Sequence, residues 1–225
     1  MVIAGAGIMG ITTAYYLARD FGVRCTLIDP TGSIAPAASG KAGGFLAKDW
    51  NDYTSTGPLT RRSFQLHQDL ADQLGPESIQ YRRLTCAGIT VNEKTENTPR
   101  RPRGKKLEGI EWADEDGADT ATGVRILGDE TTIAQVHPKL LCERLFQETQ
   151  RLLPATRLLQ GTVLSASSSS DDGAILHDGT AIDCDALLYA CGPWSCTAMS
   201  GVKYHSVVVP TPTILSQCVF FSGCG

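Results

Sequence analysis

The stretch that most constrains this chain is residues 2–29. An apolar run, Val2-Ile3-Ala4, leads into Gly5-Ala6-Gly7-Ile8-Met9-Gly10. Helical spacing follows, with Ile11, Ala14, Tyr15, Ala18 and Phe21 on one stripe. Gly22 closes that helix, and residues 23–29 read as a buried parallel strand ending on Asp29. A G-x-G-x-x-G pattern alone is weak, but between a strand and a helix each glycine has a task. Gly5 permits the tight turn, Gly7 lets the backbone approach a pyrophosphate, and Gly10 allows close helix–strand packing. Phosphates suit the start of that helix, where unpaired N–H groups and the dipole favour negative charge. Asp29 follows Gly10 by 19 residues, where an acid can accept hydrogen bonds from ribose hydroxyls. A dinucleotide-binding unit is therefore expected, with Gly5, Ala6, Gly7, Ile8, Met9, Gly10 and Asp29 as its binding residues.

Length and charge set the surroundings of that unit. The 225 residues suffice for one large domain or two small ones, and a net charge of −4 gives no reason to expect a nucleic-acid partner. No run approaches the roughly 18–20 apolar residues of a membrane span, so no integral membrane segment is expected. The first strand begins at residue 2, which leaves no room for a cleavable leader and points to a cytoplasmic protein. The eight cysteines are scattered, with no C-x-x-C pair, and read as reduced, mostly buried thiols.

Residues 30–50 read as a Gly/Ala/Ser-rich loop containing Ser39-Gly40-Lys41-Ala42-Gly43-Gly44-Phe45. Helical spacing returns over 60–74 through Phe64, His67, Leu70, Ala71 and Leu74, stopped by Gly75-Pro76. A strand is expected over 81–91. Between 92 and 128 a basic, proline-broken run (Thr98 to Lys106) and an acidic stretch (108–119) read as a solvated loop. A helix opens at Pro138, with Leu141, Leu145, Phe146 and Leu152 inward. Then come a strand over 156–165, a serine-rich turn, and a hairpin, 174–177 with 180–184, joined by Asp178-Gly179. Residues 186–191 form a continuous apolar run, as in a strand covered on both faces, and stop at Gly192-Pro193-Trp194-Ser195. The terminal run 218–225 looks like a strand cut off beside missing partners.

The resulting fold class is α/β: a Rossmann-like FAD/NAD(P)-binding domain interrupted by a β-rich substrate domain and truncated at the C-terminus. Residues 1–74 and 130–200 are assigned to the nucleotide-binding domain, 75–129 to the inserted domain, and 201–225 to the start of a further substrate-domain sheet. No metal spacing, P-loop or Ser/His/Asp set is present. His137, before Pro138, reads as a helix entry with a partly buried imidazole rather than a catalytic base. His67 and His177 also read as structural. His205 stands at the start of an expected strand and is a slightly better active-site candidate. The catalytic residues are otherwise unknown.

Three segments carry a family resemblance: Val2–Gly10 with Asp29, residues 38–46, and Leu187-Leu188-Tyr189-Ala190-Cys191-Gly192-Pro193-Trp194-Ser195. Together they resemble the FAD-dependent oxidoreductases of the D-amino-acid oxidase / glycine oxidase / sarcosine oxidase superfamily, closest to a fungal and plant subgroup whose substrate is not settled. The resemblance runs the length of the chain but covers only the N-terminal portion of a family member. It implies FAD as cofactor and an amine or amino-acid substrate oxidised at a C–N bond by hydride transfer to flavin. It also implies that Ser39, Gly40, Lys41, Ala42, Gly43 and Gly44 lie along the pyrophosphate and ribityl chain. Val163 would present a backbone group to the adenine, and Ala190, Gly192 and Trp194 would end against the dinucleotide. The resemblance places the flavin-ring half of the site beyond this chain, so the 225 residues are expected to lack turnover. Two alternatives stay open: a non-catalytic FAD- or nucleotide-binding adaptor, for instance with endosome association, and an NAD(P)-dependent dehydrogenase. Oligomeric state is not legible.

Overall fold

The computed structural model describes residues 1–92, 110, 112, 121–166, 173–195 and 200–224. The basic run 98–106, the serine-rich turn 167–172 and most of the acidic stretch lie outside these residues. In chain order the elements begin with β1 (Val2–Ala4), α1 (Ile8–Phe21), β2 (Thr26–Asp29), α2 (Ala38–Lys41) and β3 (Phe45–Ala47). Then follow α3 (Gly57–Leu74), β4 (Arg82–Arg83), β5 (Thr85–Asn92), β6 (Ala121–Gly128), β7 (Ile133–Gln135) and α4 (Pro138–Leu152). The last are β8 (Arg157–Gln160), β9 (Val163–Ala166), β10 (Gly173–Leu176), β11 (Ala181–Asp183), β12 (Leu187–Tyr189) and β13 (Gln217–Cys224).

Two compact units result: residues 1–43, 77–79 and 137–207 form one, and 44–76, 80–136 and 208–225 the other. In the first unit a parallel sheet runs in the order β12-β1-β2-β8. Its central strand β1 is apolar at every position and buried on both faces, as a strand between two layers must be. Alternation sends Ile3 to the α1 side, while Val2, with Ile28 of β2, packs on Ala174 and Leu176 of the antiparallel sheet β11-β10-β9. Helix α1 buries Ile11, Ala14, Tyr15 and Ala18, and Gly22 ends it in the left-handed conformation (φ 65°), its N–H returning to the Ala18 carbonyl.

The second unit holds two three-stranded sheets, β13-β5-β6 and β3-β7-β4. Leu84, Cys86 and Ile133 form one buried cluster, packed by Phe45, Ala47, Leu127 and Cys218. Ala87, Ile89 and Ile110 form another. Helix α3 buries Phe64, Leu70, Ala71 and Leu74. Cys25, Cys86 and Cys142 are buried and every cysteine assigned among the described residues is a free thiol; burial pushes Cys86 up to about 12 and Cys142 to about 11.

Several elements differ from the sequence reading. The strand expected over 156–165 is two strands: β8 extends the parallel sheet beside β2, then Gly161 and Thr162 turn the chain so that β9 joins the hairpin sheet. Gly161 allows this because a Cβ there would stand 3.1 Å from the Leu176 side chain. The loop 30–50 contains α2 and β3. Residues 121–128, read as loop, are a strand paired antiparallel with β5, and β7 was also not anticipated. The run 81–91 breaks at Leu84. Phe21 is 74% exposed, because it is the last helical residue and lies beyond the short strand β1. Strand β12 is half-buried rather than covered, since among the described residues only β1 pairs with it. The terminal run is not without a partner: β13 pairs parallel with β5 along all of Gln217–Cys224. No strand starts at His205, which is exposed.

Candidate functional site: the glycine turn and its buried acid

The turn after β1 is held by backbone geometry that only glycine satisfies. Gly5 sits at φ 107°, and a Cβ there would stand 2.3 Å from the Ala190 carbonyl oxygen. A Cβ on Gly10 would stand 2.2 Å from the Gly5 carbonyl oxygen and 3.1 Å from Ile3. The first clash would separate the ends of β1 and β12; the second would lift α1 off the sheet. Ala190 donates its N–H to the Ala4 carbonyl at 2.8 Å, and the Cys191 thiol donates to the same oxygen. The second glycine of the motif is positioned differently: Gly7 is the N-cap of α1 and faces the Ser39 hydroxyl, which a Cβ would approach to 3.1 Å.

Asp29 lies at the end of β2, only 7% exposed. One carboxylate oxygen accepts the Ala6 N–H at 3.2 Å; the other accepts the Thr31 N–H at 3.0 Å and the Thr31 hydroxyl at 2.7 Å. The acid therefore ties the glycine turn to the loop after β2, and it faces no cationic side chain among the described residues. Thr31, with this double contact, was not singled out in the sequence; the Asp-x-Thr spacing is the signal that could have found it.

The start of α1 has no side-chain cap of its own. The Ile8 N–H donates instead to the Ser39 Oγ at 3.0 Å, while the N–H groups of Gly7, Met9 and Gly10 have no partner among the described residues. Gly40 fits because a Cβ there would meet the Ala35 carbonyl oxygen at 2.1 Å. Ala35 is itself buried in the left-handed region, φ 48°, with its N–H on the Ala6 carbonyl at 2.9 Å. An alanine there is strained. Ala35→Gly is expected to raise stability by about 0.5–1 kcal/mol in denaturant unfolding; a loss would show that the Ala35 methyl packs for more than the strain.

Other sequence candidates are placed less closely. Lys41, Ala42 and Gly43 are exposed, and Gly44 belongs to the second unit, with φ 74°. Gly192 (φ 60°) starts a short 3-10 turn, and Trp194 is 78% exposed. Val163 packs half-buried beside Val2 and Ile28. His137 is exposed, not partly buried, and its Nδ1 accepts the Leu140 N–H at 3.3 Å as the N-cap of α4. His67 Nδ1 meets the Ser63 carbonyl at 2.8 Å, and His177 is exposed in the hairpin turn. No cluster of metal-ligating side chains occurs among the described residues, and none of their helices is long and apolar enough to cross a membrane.

The DAO family, FAD dependent oxidoreductase, matches residues 1–220. The chain belongs to that family. A Schizosaccharomyces pombe protein named as an oxidoreductase is 31% identical, over 99% of this chain and 63% of its own length. A Saccharomyces cerevisiae protein also named as an oxidoreductase is 41% identical over 43% of this chain and 18% of its own. Among solved structures, glycine oxidase from Geobacillus kaustophilus aligns with TM-score 0.62 at 20% identity, covering 86% of this chain and 55% of that one. L-proline dehydrogenase from P. horikoshii aligns with TM-score 0.58 at 16% identity, covering 91% and 56%. These structures share the fold. The chain spans less than two thirds of the S. pombe relative and little more than half of the structural neighbours. FAD is the cofactor of the DAO family, and the first unit fits it: a glycine cradle that a Cβ would fill, open N–H groups at a helix start, and a buried acid.

Proposed function

We propose that this DAO-family protein oxidises the C–N bond of an amine or amino acid, with its first unit binding FAD and its second unit contributing to the substrate side. The observation that carries the cofactor half is the junction of the bare α1 N-terminus with buried Asp29. In this reading the N–H groups of Gly7, Met9 and Gly10 receive the pyrophosphate. Gly5 and Gly10 hold the turn close, and Ala6 and Ile8 keep its shape through Asp29 and Ser39. The Asp29 carboxylate, already oriented by Ala6 and Thr31, accepts the ribose hydroxyls. Lys41 supplies the nearby cation within the segment Ser39 to Gly44, and Val163, Ala190, Gly192 and Trp194 flank the adenosine end. Bound FAD supplies the hydride acceptor. The protein's own task is to orient the substrate and exclude water. The amine and amino-acid part of the proposal rests on the family and on what its neighbours act on: glycine and proline by name.

The test is an FAD titration of the purified chain, followed by anaerobic addition of amines and amino acids while the visible flavin band is watched. Saturable FAD uptake is expected, with bleaching by a C–N substrate in a protein that spans the full relative's length. Uptake of NAD(P) in place of FAD would overturn the cofactor assignment. FAD uptake with no bleaching by any amine or amino acid in the longer protein would leave a nucleotide-binding adaptor as the better account.

A further inference from the structure

We propose that Cys86 and Cys218 form a covalent modification site in the second unit, where a hydroperoxide converts the two thiols into a disulfide that fastens β13 to β5. Neither residue has a part in binding FAD, and both lie in one sheet, β13-β5-β6. Among the described residues they are the one pair of cysteines set opposite each other in a strand register.

Strands β13 and β5 run parallel with Cys218 opposite Cys86, so both side chains leave the same face of the sheet. The packing agrees. Cys86 and Cys218 pack with Leu84, Ile133 and Phe45, whereas Ala87 and Val219, one residue on, pack with Ile89 and Val124. Neighbouring strands lie about 4.8 Å apart, inside the roughly 4.4–6.8 Å between Cα atoms over which a disulfide closes without moving the backbone. On its other side Cys86 is opposite Gly128 of β6, where Ile133 occupies the space a side chain would need. The Cys86 S–H is left with the Cys218 sulfur as its acceptor.

The two thiols are unequal in a way that orders the reaction. Cys86 is 0% exposed and Cys218 is half-buried, so an oxidant meets Cys218 first. Burial pushes the Cys218 thiol up, but the Cys86 S–H and the Val219 N–H bond its sulfur and favour the thiolate. That thiolate attacks one oxygen of the hydroperoxide. An S–O bond forms, the O–O bond breaks, and the departing alkoxide takes the thiol proton to leave as an alcohol. The Cys86 sulfur then attacks the Cys218 sulfenic acid: the S–S bond forms, the S–O bond breaks, and the hydroxyl leaves with the Cys86 proton as water. The thiols together lose two electrons and two protons, which reduce the hydroperoxide to alcohol and water. With Cys86 in contact, the sulfenic acid is captured before a second peroxide carries it to the irreversible sulfinic acid. The product would hold more than two sulfurs. Phe220 shares a face with Cys218, and its ring packs on Phe45 and Trp50 with centroids 5.1 and 5.4 Å away, so the link also fixes this aromatic cluster to the sheet.

The test is peptide mapping of the reduced full chain after treatment with a few-fold molar excess of hydrogen peroxide, with the remaining thiols alkylated during unfolding. The expected product joins tryptic peptide 84–94 to 204–225, two hydrogens lighter than their sum, with fragment ions placing the link at Cys218 rather than Cys224. Dithiothreitol should restore both thiols, and the linked protein should melt roughly 5–15 °C above the reduced one. Cys218→Ala is expected to form no link and to keep Cys86 as a thiol; Cys86→Ala should instead take Cys218 on to the sulfinic acid. In the wild type, thiols left unchanged, Cys218 sulfinic acid without the link, links spread over several other cysteines, or a link formed only in urea each overturns the proposal without any variant. So does a linked protein that melts no higher than the reduced one.

Discussion

Gly10→Ala is expected to destabilise the protein by about 2–3 kcal/mol and to abolish measurable FAD uptake at concentrations that saturate the wild type. The new methyl carbon would stand 2.2 Å from the Gly5 carbonyl oxygen, a backbone atom that cannot swing aside as a side chain does. The only relief is for α1 to move away from β1, and that movement displaces the N–H groups of Gly7, Met9 and Gly10 together. Stability and binding should therefore fall in one substitution. Gly43→Ala is the matched control, because a Cβ there meets nothing within 4 Å, and it is expected to unfold within about 0.5 kcal/mol of the wild type. Urea unfolding with FAD fluorescence titration reads both quantities. A Gly10→Ala protein that takes up FAD normally would mean that the helix start is not the phosphate site.

Asp29→Ala is expected to have the second-largest effect, about 2–4 kcal/mol of stability and at least ten-fold weaker FAD binding. Three hydrogen bonds to a charged acceptor disappear, and the Ala6 N–H is left buried without a partner. Asp29→Asn refines the point. Its amide has one acceptor oxygen, so it can serve Thr31 or Ala6 but not both, and its NH2 would oppose the other donor. The asparagine variant should recover part of the stability and little of the FAD affinity. If Asn restores binding fully, the ribose does not depend on a carboxylate.

The parts of the fold that could be read in advance are those where one local rule acts alone. Helix α1 follows from its stripe and its Gly22 stop, α4 from Pro138 at its start, and the hairpin turn from Asp178-Gly179. The misreadings occur where two local rules agree on the wrong answer or where a distant partner decides. Residues 156–165 are uniformly strand-like, and only the sheets on either side show that Gly161 hands the chain from β2 to β10. Strand β6 carries Arg125 and three glycine or threonine positions, so its pairing with β5 outweighs its propensity. The site shows the same division. Asp29 was legible from its spacing, but the Ser39 hydroxyl on the Ile8 N–H is a contact between residues 31 positions apart.

The order of the parallel sheet has a consequence for how the protein is made. Strand β1 pairs on one side with β2, available almost at once, and on the other with β12, whose register partner for Val2 is Leu187. At the roughly 5–20 residues per second of protein synthesis, the intervening chain takes on the order of ten to forty seconds to emerge. Throughout that interval the free edge of β1, with Val2, Ile3 and Ala4 unshielded on that side, is open to any other extended segment. Residues 44–76 and 80–136 of the second unit are synthesised inside this window, and its last strand, β13, only after it. The ribosome-bound chain must therefore fold one sheet while an older, half-paired one waits, and chaperone dependence during translation should track how long β1 stays uncovered rather than the final stability of the protein.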